Sequence, residues 1–477
     1  NTDDGWFYEL RYRDVILSPD GGYLLVMVPL PGPGAGFASP ALVLAVHELE
    51  AGVTHLLPEY TNIHQIAFSP SSKRAYLLAA DRKSVAVLAL KSRKQLSVLL
   101  LPAAYSAIAV SPDGLHLIAS NTPADDIERA NAVQAGNTCV ALDGRDRCRM
   151  TSVRLADDSV RSVSMTSPVL DIDFLQGGKK VAVVSNPAGA KEGTSNARIT
   201  ISDSHFEAQS TGAEQKFDRK LAAITTSHCG SELQVVGGGT LGLLSAVGCS
   251  NGWVELYDLN QHKLLASLPS NAPVSVSRNE KVAVVAAFTA DLAAAPCTEP
   301  SKPTDPAAPA APTQKKGADG TPNKPLKTAV AILNLATGSH SIVPWSNHEA
   351  LPRLVISHHG EHVYAQSSNA DGSEDKFSLI RTHNLSKKAV IGGSKRLDRA
   401  AWSEDGKLLY VLSNGALYRI PSGESVATHV DVPGSPELMD LRQQDDLLIL
   451  AEATAPLFYL VDVQADDKVQ SLHLFAK

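Results

Sequence analysis

Residues 108–122 read IAVSPDGLHLIASNT. Ile108 and Val110 flank Ala109 with the two-residue alternation of a strand. Ser111-Pro112-Asp113-Gly114 then reads as a turn. Pro112 pre-sets φ, Asp113 bonds nearby backbone, and Gly114 accepts a positive φ. Leu115, Leu117 and Ala119 resume the alternation as a second strand.

The same unit recurs along the chain: ILSPDGGYLLVMVP at 16–29, IAFSPSSKRAYLLAA at 66–80, IDFLQGGKKVAVVSN at 172–186 and VSVSRNEKVAVVAAF at 274–288. It returns as LVISHHGEHVYAQSS at 354–368, AAWSEDGKLLYVLS at 400–413 and MDLRQQDDLLILAE at 439–452, with a weaker copy near Leu221. Where no insertion intervenes the copies start roughly 40–50 residues apart, the period of propeller blades. Each blade has four strands. The chain therefore reads as one all-β domain over 1–477, a single β-propeller. Nine candidate units are present, but single rings usually hold about four to eight blades. Eight blades is the expectation, with seven and nine as alternatives. The weak copy near Leu221 and the fragmentary N-terminal unit are the doubtful ones, and the strand-like WFYELRYR at 6–13 is expected to close the ring or pack under it.

The Ser-Pro-Asp-Gly turn followed by an alternating apolar strand resembles the bacterial propellers of the Tol-system and YVTN type. The resemblance covers most of the chain and implies architecture rather than activity. Asn334-Leu335-Ala336-Thr337-Gly338 with Trp345 also resembles one copy of the quinoprotein-type propeller repeat, which occurs in the propeller lipoprotein of the outer-membrane β-barrel assembly machinery. The other blades lack that signature and no adjacent Cys pair exists, so no quinone cofactor is expected.

Charge and composition narrow the function. The net charge of −7 argues against a nucleic-acid partner, which needs a basic groove. No apolar run approaches the roughly 18 residues of a transmembrane helix. The start at Asn1, without Met, is what removal of a signal peptide or trimming would leave. Cysteine usage points to export. Cys139 and Cys148 lie nine residues apart in one polar insertion, and Cys229 and Cys249 fall in one proposed blade. Two disulfides are expected from these four, with Cys297 left over; five free thiols are the alternative.

Two insertions interrupt the repeats. Residues 123–150, PADDIERANAVQAGNTCVALDGRDRCRM, gather Asp125, Asp126, Glu128, Asp143 and Asp146. Hard cations want clustered carboxylates, but EF-hand spacing is absent and Arg129, Arg145, Arg147 and Arg149 nearly offset the charge. The favoured reading is a solvated loop stapled by Cys139 and Cys148. Residues 296–325, PCTEPSKPTDPAAPAAPTQKKGADGTPNKP, are too poor in large apolar side chains to order themselves. Because strand patterning resumes at TAVAILNL, this segment reads as a loop between two strands of one blade.

Two motifs carry a chemical alternative. Gly248-Cys249-Ser250-Asn251-Gly252 matches G-x-S-x-G, yet a nucleophile elbow needs a helix after it and WVELYDL alternates as a strand. His358, His359 and His362 fall where other units place Ser-Pro-Asp-Gly, and without an evident fourth ligand they read as a polar turn. No catalytic, cofactor or metal residue is assigned.

The leading expectation is a non-catalytic scaffold or protein–protein interaction subunit of an exported, periplasmic or extracellular complex. Its two insertions would reach protein partners. The alternative is a metal-dependent lactonase- or hydrolase-type enzyme using the central tunnel, whose ligands would be scattered in sequence. No Cys-x-x-Cys-His haem signature is present.

Overall fold

The computed structural model describes residues 16–29, 42–123, 146–185, 196–206, 223–246, 252–288 apart from 271 and 273, 328–346, 352–367, 376–390, 399–436, 438–442, 447–452, 457–463 and 467–473. Within the 123–150 insertion it also describes Glu128, Asn131, Ala132 and Cys139.

The hairpin at 108–122 forms as read. Ala107–Val110 pairs antiparallel with His116–Ser120. The Ser111 carbonyl accepts the Gly114 N–H at 2.8 Å, and Gly114 takes a φ of 70°. The buried Ser111 hydroxyl does two jobs: it donates to the Asp113 carboxylate and accepts the His116 N–H. The same serine recurs as Ser18, Ser69, Ser277, Ser357 and Ser403, all buried. In every case its Oγ accepts the backbone N–H five residues on, at 2.9–3.1 Å. The serine thus sets the register of these six hairpins.

Nine four-stranded sheets are present among the described residues, each built from consecutive antiparallel strands. The count corrects the expectation of eight blades. The N-terminal unit is a complete sheet, Ile16–Leu17, Tyr23–Pro29, Leu42–Glu48 and Val53–Thr61. The unit sought near Leu221 begins later: Ala223–Thr225 is the outer strand of the fourth sheet, and the fifth starts at Glu232–Val236. The last sheet takes all four strands from its own stretch, Leu438–Arg442 to Lys468–His473. Residues 6–13 lie outside the described residues.

At four junctions the first strands of successive sheets lie side by side, as Gln65–Phe68 does with Ala107–Val110 and Val169–Leu175 with Glu232–Val236. They therefore form the inner wall. Among the described residues the core sits between sheets, in nine apolar clusters. One cluster joins Leu24, Val26, Val28, Val43 and Ala45 of the first sheet to Ile449 of the ninth, so the ring closes by face packing. Closure buries sheet faces that would otherwise meet water. Small and β-branched residues dominate these faces, which lets the sheets stack closely.

Further locks join the inner strands. Asp171 and Asp173 on Val169–Leu175 accept the backbone N–H groups of Leu233 and Val235, both at 2.8 Å. Burial pushes the Asp173 carboxyl above its ordinary value, partly offset by the N–H groups of Val235 and Phe174 that it accepts. The hairpin turns also touch: the Asp20 N–H donates to Ser72 Oγ at 2.8 Å, and Asn279 Nδ2 donates to the His359 carbonyl at 3.1 Å.

The insertions leave their own mark. Val282–Phe288 and Thr328–Asn334 pair directly, Phe288 opposite Thr328, so residues 289–327 connect two neighbouring strands of the sixth sheet. Residues 296–325 lie outside the described residues. The 123–150 insertion is more than a solvated loop. Ala132 is fully buried and belongs to the cluster between the fourth and fifth sheets, which also holds Leu170, Ala182 and Ile199.

Candidate functional site

The two ends of the ring differ. In an antiparallel meander the first and third turns of each sheet emerge at one end. The second connection and the crossing to the next sheet emerge at the other. First turns here are four or five residues long in every sheet. Third turns are four to six residues, except 204–222 in the fourth sheet. The second connections are long in most sheets: 30–41, 121–148, 186–197, 246–252, 289–327 and 368–375. Both insertions therefore leave and rejoin their sheets at one face, where the segments holding Cys148 and Cys229 also lie.

Cys139 and Cys148 form a disulfide with Cα atoms 5.1 Å apart. Cys148 is buried in the cluster between the third and fourth sheets, with Cys139 packed against it. Cys229 is disulfide-bonded as well. Cys249, its expected partner, lies outside the described residues, as do Cys297, Asp125, Asp126 and Asp143.

One chemically organised cluster sits at the edge of this face, between the fourth and fifth sheets. Trp253, Glu255 and Tyr257 share one face of the strand Trp253–Asp258. That face meets the fourth sheet, since Tyr257 belongs to the cluster with Ala182, Val184 and Ile199. Glu255 is 1% exposed. Its carboxylate accepts the Tyr257 hydroxyl at 2.6 Å and lies 2.7 Å from His228 Nδ1. The Ser227 N–H donates to the Tyr257 oxygen at 3.3 Å. Burial pushes the Tyr257 hydroxyl far up, and the Glu255 charge adds to it. The imidazole of His228 stacks on Trp253, with centroids 4.1 Å apart, and its side chain is one-third exposed. Thr226 holds this segment by accepting the Ala197 N–H and donating to the His228 carbonyl. The result is an imidazole fixed by a buried carboxylate, with its ring edge at the loop-bearing face. Sequence reading missed it. The available signal was Glu255, the single charge inside the alternation of WVELY.

The other motifs take structural places. The residue run after Gly252 is the strand Trp253–Asp258, so the G-x-S-x-G match stands between two strands; residues 247–251 lie outside the described residues. His358 packs beside Trp402, centroids 6.2 Å apart, and beneath Gly406. His362 approaches Ser422 Oγ at 3.3 Å and lies against Gly423. Burial first, then the Arg278 charge, holds the His358 pKa below the ordinary value, and burial does the same for His362. Trp345 is buried between the sixth and seventh sheets, with Lys387 Nζ 3.6 Å above its ring. Among the described residues no group of three His, Cys, Asp or Glu is placed to hold a metal ion. No helix among them is long and apolar enough to cross a membrane.

No family model and no curated protein matches the sequence. Solved structures do match. The crystal structure of the eukaryotic initiation factor is similar over 88% of this chain and 87% of that one, at 12% identity and a TM-score of 0.52. The hydrazine synthase of Kuenenia stuttgartiensis matches 76% of this chain and 96% of its own, at 13% identity and a TM-score of 0.36. The β-propeller domain of Cps50 (Swd1) from Myceliophteria thermophila matches 77% and 95%, at 10% identity and a TM-score of 0.38. At such identities the likeness concerns the fold alone, and that fold is the β-propeller.

Proposed function

We propose that this chain is a non-catalytic propeller scaffold, an interaction subunit of a larger complex in an exported or cell-envelope compartment. The observation that carries the reading is the asymmetry of the ring. Nearly all long connections leave one face, while the opposite face carries mostly tight turns. Segments such as 296–325 fit a docking role, because chains that order only on binding wrap a partner over a large area. The disulfide Cys139–Cys148 is compatible with an oxidising compartment. The Ser-Pro-Asp-Gly turns add the resemblance to the Tol-system and YVTN propellers.

The test is capture of a partner from the cell-envelope extract of the source organism, using the intact chain and a variant lacking 298–324. A stable partner retained by the intact chain and lost by the variant supports the reading. Absence of any stable partner overturns it.

A further inference from the structure

The second sheet has an outer edge unlike the others. Among the described residues four outer strands reach seven residues or more: Val53–Thr61, Lys94–Leu100, Lys263–Pro269 and His340–Ser346. Three contain a proline, Pro58, Pro269 and Pro344; Lys94–Leu100 contains none. Along it Leu96, Val98 and Leu100 are 53%, 45% and 73% exposed. Leu99 turns the other way, into the core between the second and third sheets. Leu96 is a bulge, after which Ser97–Leu100 pairs regularly with Ser84–Val87. The outward row of N–H and C=O groups on an edge strand has no ladder partner, and proteins ordinarily blunt such edges with proline or charge. Here the edge beyond the bulge, Ser97–Leu100, is regular and free of proline and charge.

The charge around it is equally distinctive. Residues 62–106 carry seven Lys and Arg against one acid, Asp81, in a chain of net charge −7. Lys73, Lys91 and Lys94 cluster at one end of the strand, where the Leu90 N–H donates to the Lys73 carbonyl. Arg93 is paired with Glu48. Lys73, Lys91 and Lys94 are exposed and have no acidic partner among the described residues.

We infer that Lys94–Leu100 is a docking edge for an extended segment of a partner protein. The segment adds as a further strand, with apolar side chains at alternate positions against Leu96, Val98 and Leu100. Acidic residues at one end meet Lys91 and Lys94. Backbone pairing supplies affinity and the side chains supply the choice of sequence. This site lies on the rim of the second sheet, whose own second connection is the short 79–83, and is separate from the loop-bearing face.

The probe is a fluorescein-labelled peptide of alternating valine and threonine ending in two aspartates. Saturable binding that weakens with added salt is expected, as exposed charge pairs are screened. Val98→Glu with Leu100→Glu should weaken it by at least about tenfold, and a peptide N-methylated along its backbone should fail to bind. Lys91→Glu with Lys94→Glu should lower affinity and reduce its salt dependence. If the glutamate variant melts early, Leu96→Thr, Val98→Thr and Leu100→Thr together provide the same test with strand-forming side chains. Deletion of 298–324 should leave peptide binding unchanged, which separates this site from the loop face. Lack of saturable binding, binding indifferent to the rim substitutions, or equal binding of the N-methylated peptide overturns the inference. So does a dimer in sedimentation that the rim substitutions dissolve, since the occupant is then a second copy of the chain.

Discussion

His228 Nδ1 lies 2.7 Å from Glu255 Oε1, although the two residues belong to different elements, a connection between sheets and a third strand. The pair joins a one-third-exposed ring to a carboxylate that is almost wholly buried. Removing the carboxylate strands the Tyr257 hydroxyl, which donates to it. Glu255→Ala should therefore cost roughly 1–3 kcal/mol, the penalty for a buried polar group left unpartnered. His228→Ala should cost less, because water reaches that side chain. Urea unfolding of both variants checks the order; a larger loss for His228→Ala would contradict this packing.

Acid should destabilise the ring through buried and half-buried histidines. His47 is 1% exposed with its Nδ1 2.8 Å from Thr54 Oγ1. Burial holds the pKa of His47, His358 and His362 below the ordinary 6.5. Between 6.5 and the lowered values the unfolded chain binds protons that the folded chain refuses. Stability is thus full above the unfolded value and is lost as the pH falls below it. Melting temperatures measured between neutral pH and about pH 5 should decline, and His47→Gln should flatten the decline.

The hairpin serines make a third prediction. Ser111 is 0% exposed and satisfies both Asp113 and the His116 N–H. Ser111→Ala leaves both without that partner and should cost roughly 1–3 kcal/mol. Ser111→Thr keeps the hydroxyl but adds a methyl group to a packed site, where overpacking is also unfavourable. Urea unfolding checks the alanine variant directly; a neutral result would show that the hydroxyl does not set the turn.

These turns explain what was legible in the sequence. Wherever a serine opens the turn, local hydrogen bonding fixes the hairpin within a few residues, so each unit announces itself. The fifth sheet hid because its turn is Gly237-Gly238-Gly239-Thr240, with no serine or aspartate to mark it. The first sheet looked fragmentary because residues 30–41 separate its second and third strands. The His228–Glu255–Tyr257 cluster was illegible for a different reason. His228 meets Glu255 and Tyr257 only when the fourth and fifth sheets pack, a relationship that no local pattern encodes. Ala132 is the same case: nothing in a polar insertion marks one alanine as core of a junction beyond its own sheet.

The disulfides give a fourth prediction. Cys139–Cys148 closes a short loop, and the chain-entropy model makes such a bridge worth roughly 2–3 kcal/mol. Cys148→Ser should lose about that much and also expose a polar group inside a cluster with Met150 and Val181. Peptide mapping without reduction should recover Cys139 linked to Cys148 and Cys229 linked to Cys249. Alkylation of either first-named pair in the native, unreduced protein would refute that pair.

The final prediction concerns the longest connection. Val282–Phe288 and Thr328–Asn334 pair along their whole length, and the ends Phe288 and Thr328 face each other. Joining them needs only a short bridge. After deletion of 298–324, residues 289–297 and 325–327 remain, more than the roughly two to five residues a hairpin loop requires. Shortening a flexible loop changes closure entropy only logarithmically, by about 1 kcal/mol and in the favourable direction. The faces of the sixth sheet stay packed by Val285, Ala287 and Leu333 on one side and by Val284, Val330 and Ile332 on the other. The deletion variant should therefore melt at or slightly above the temperature of the intact chain. Loss of cooperative melting would show that the segment carries part of the core, and loss of partner capture at unchanged melting temperature would assign it to docking.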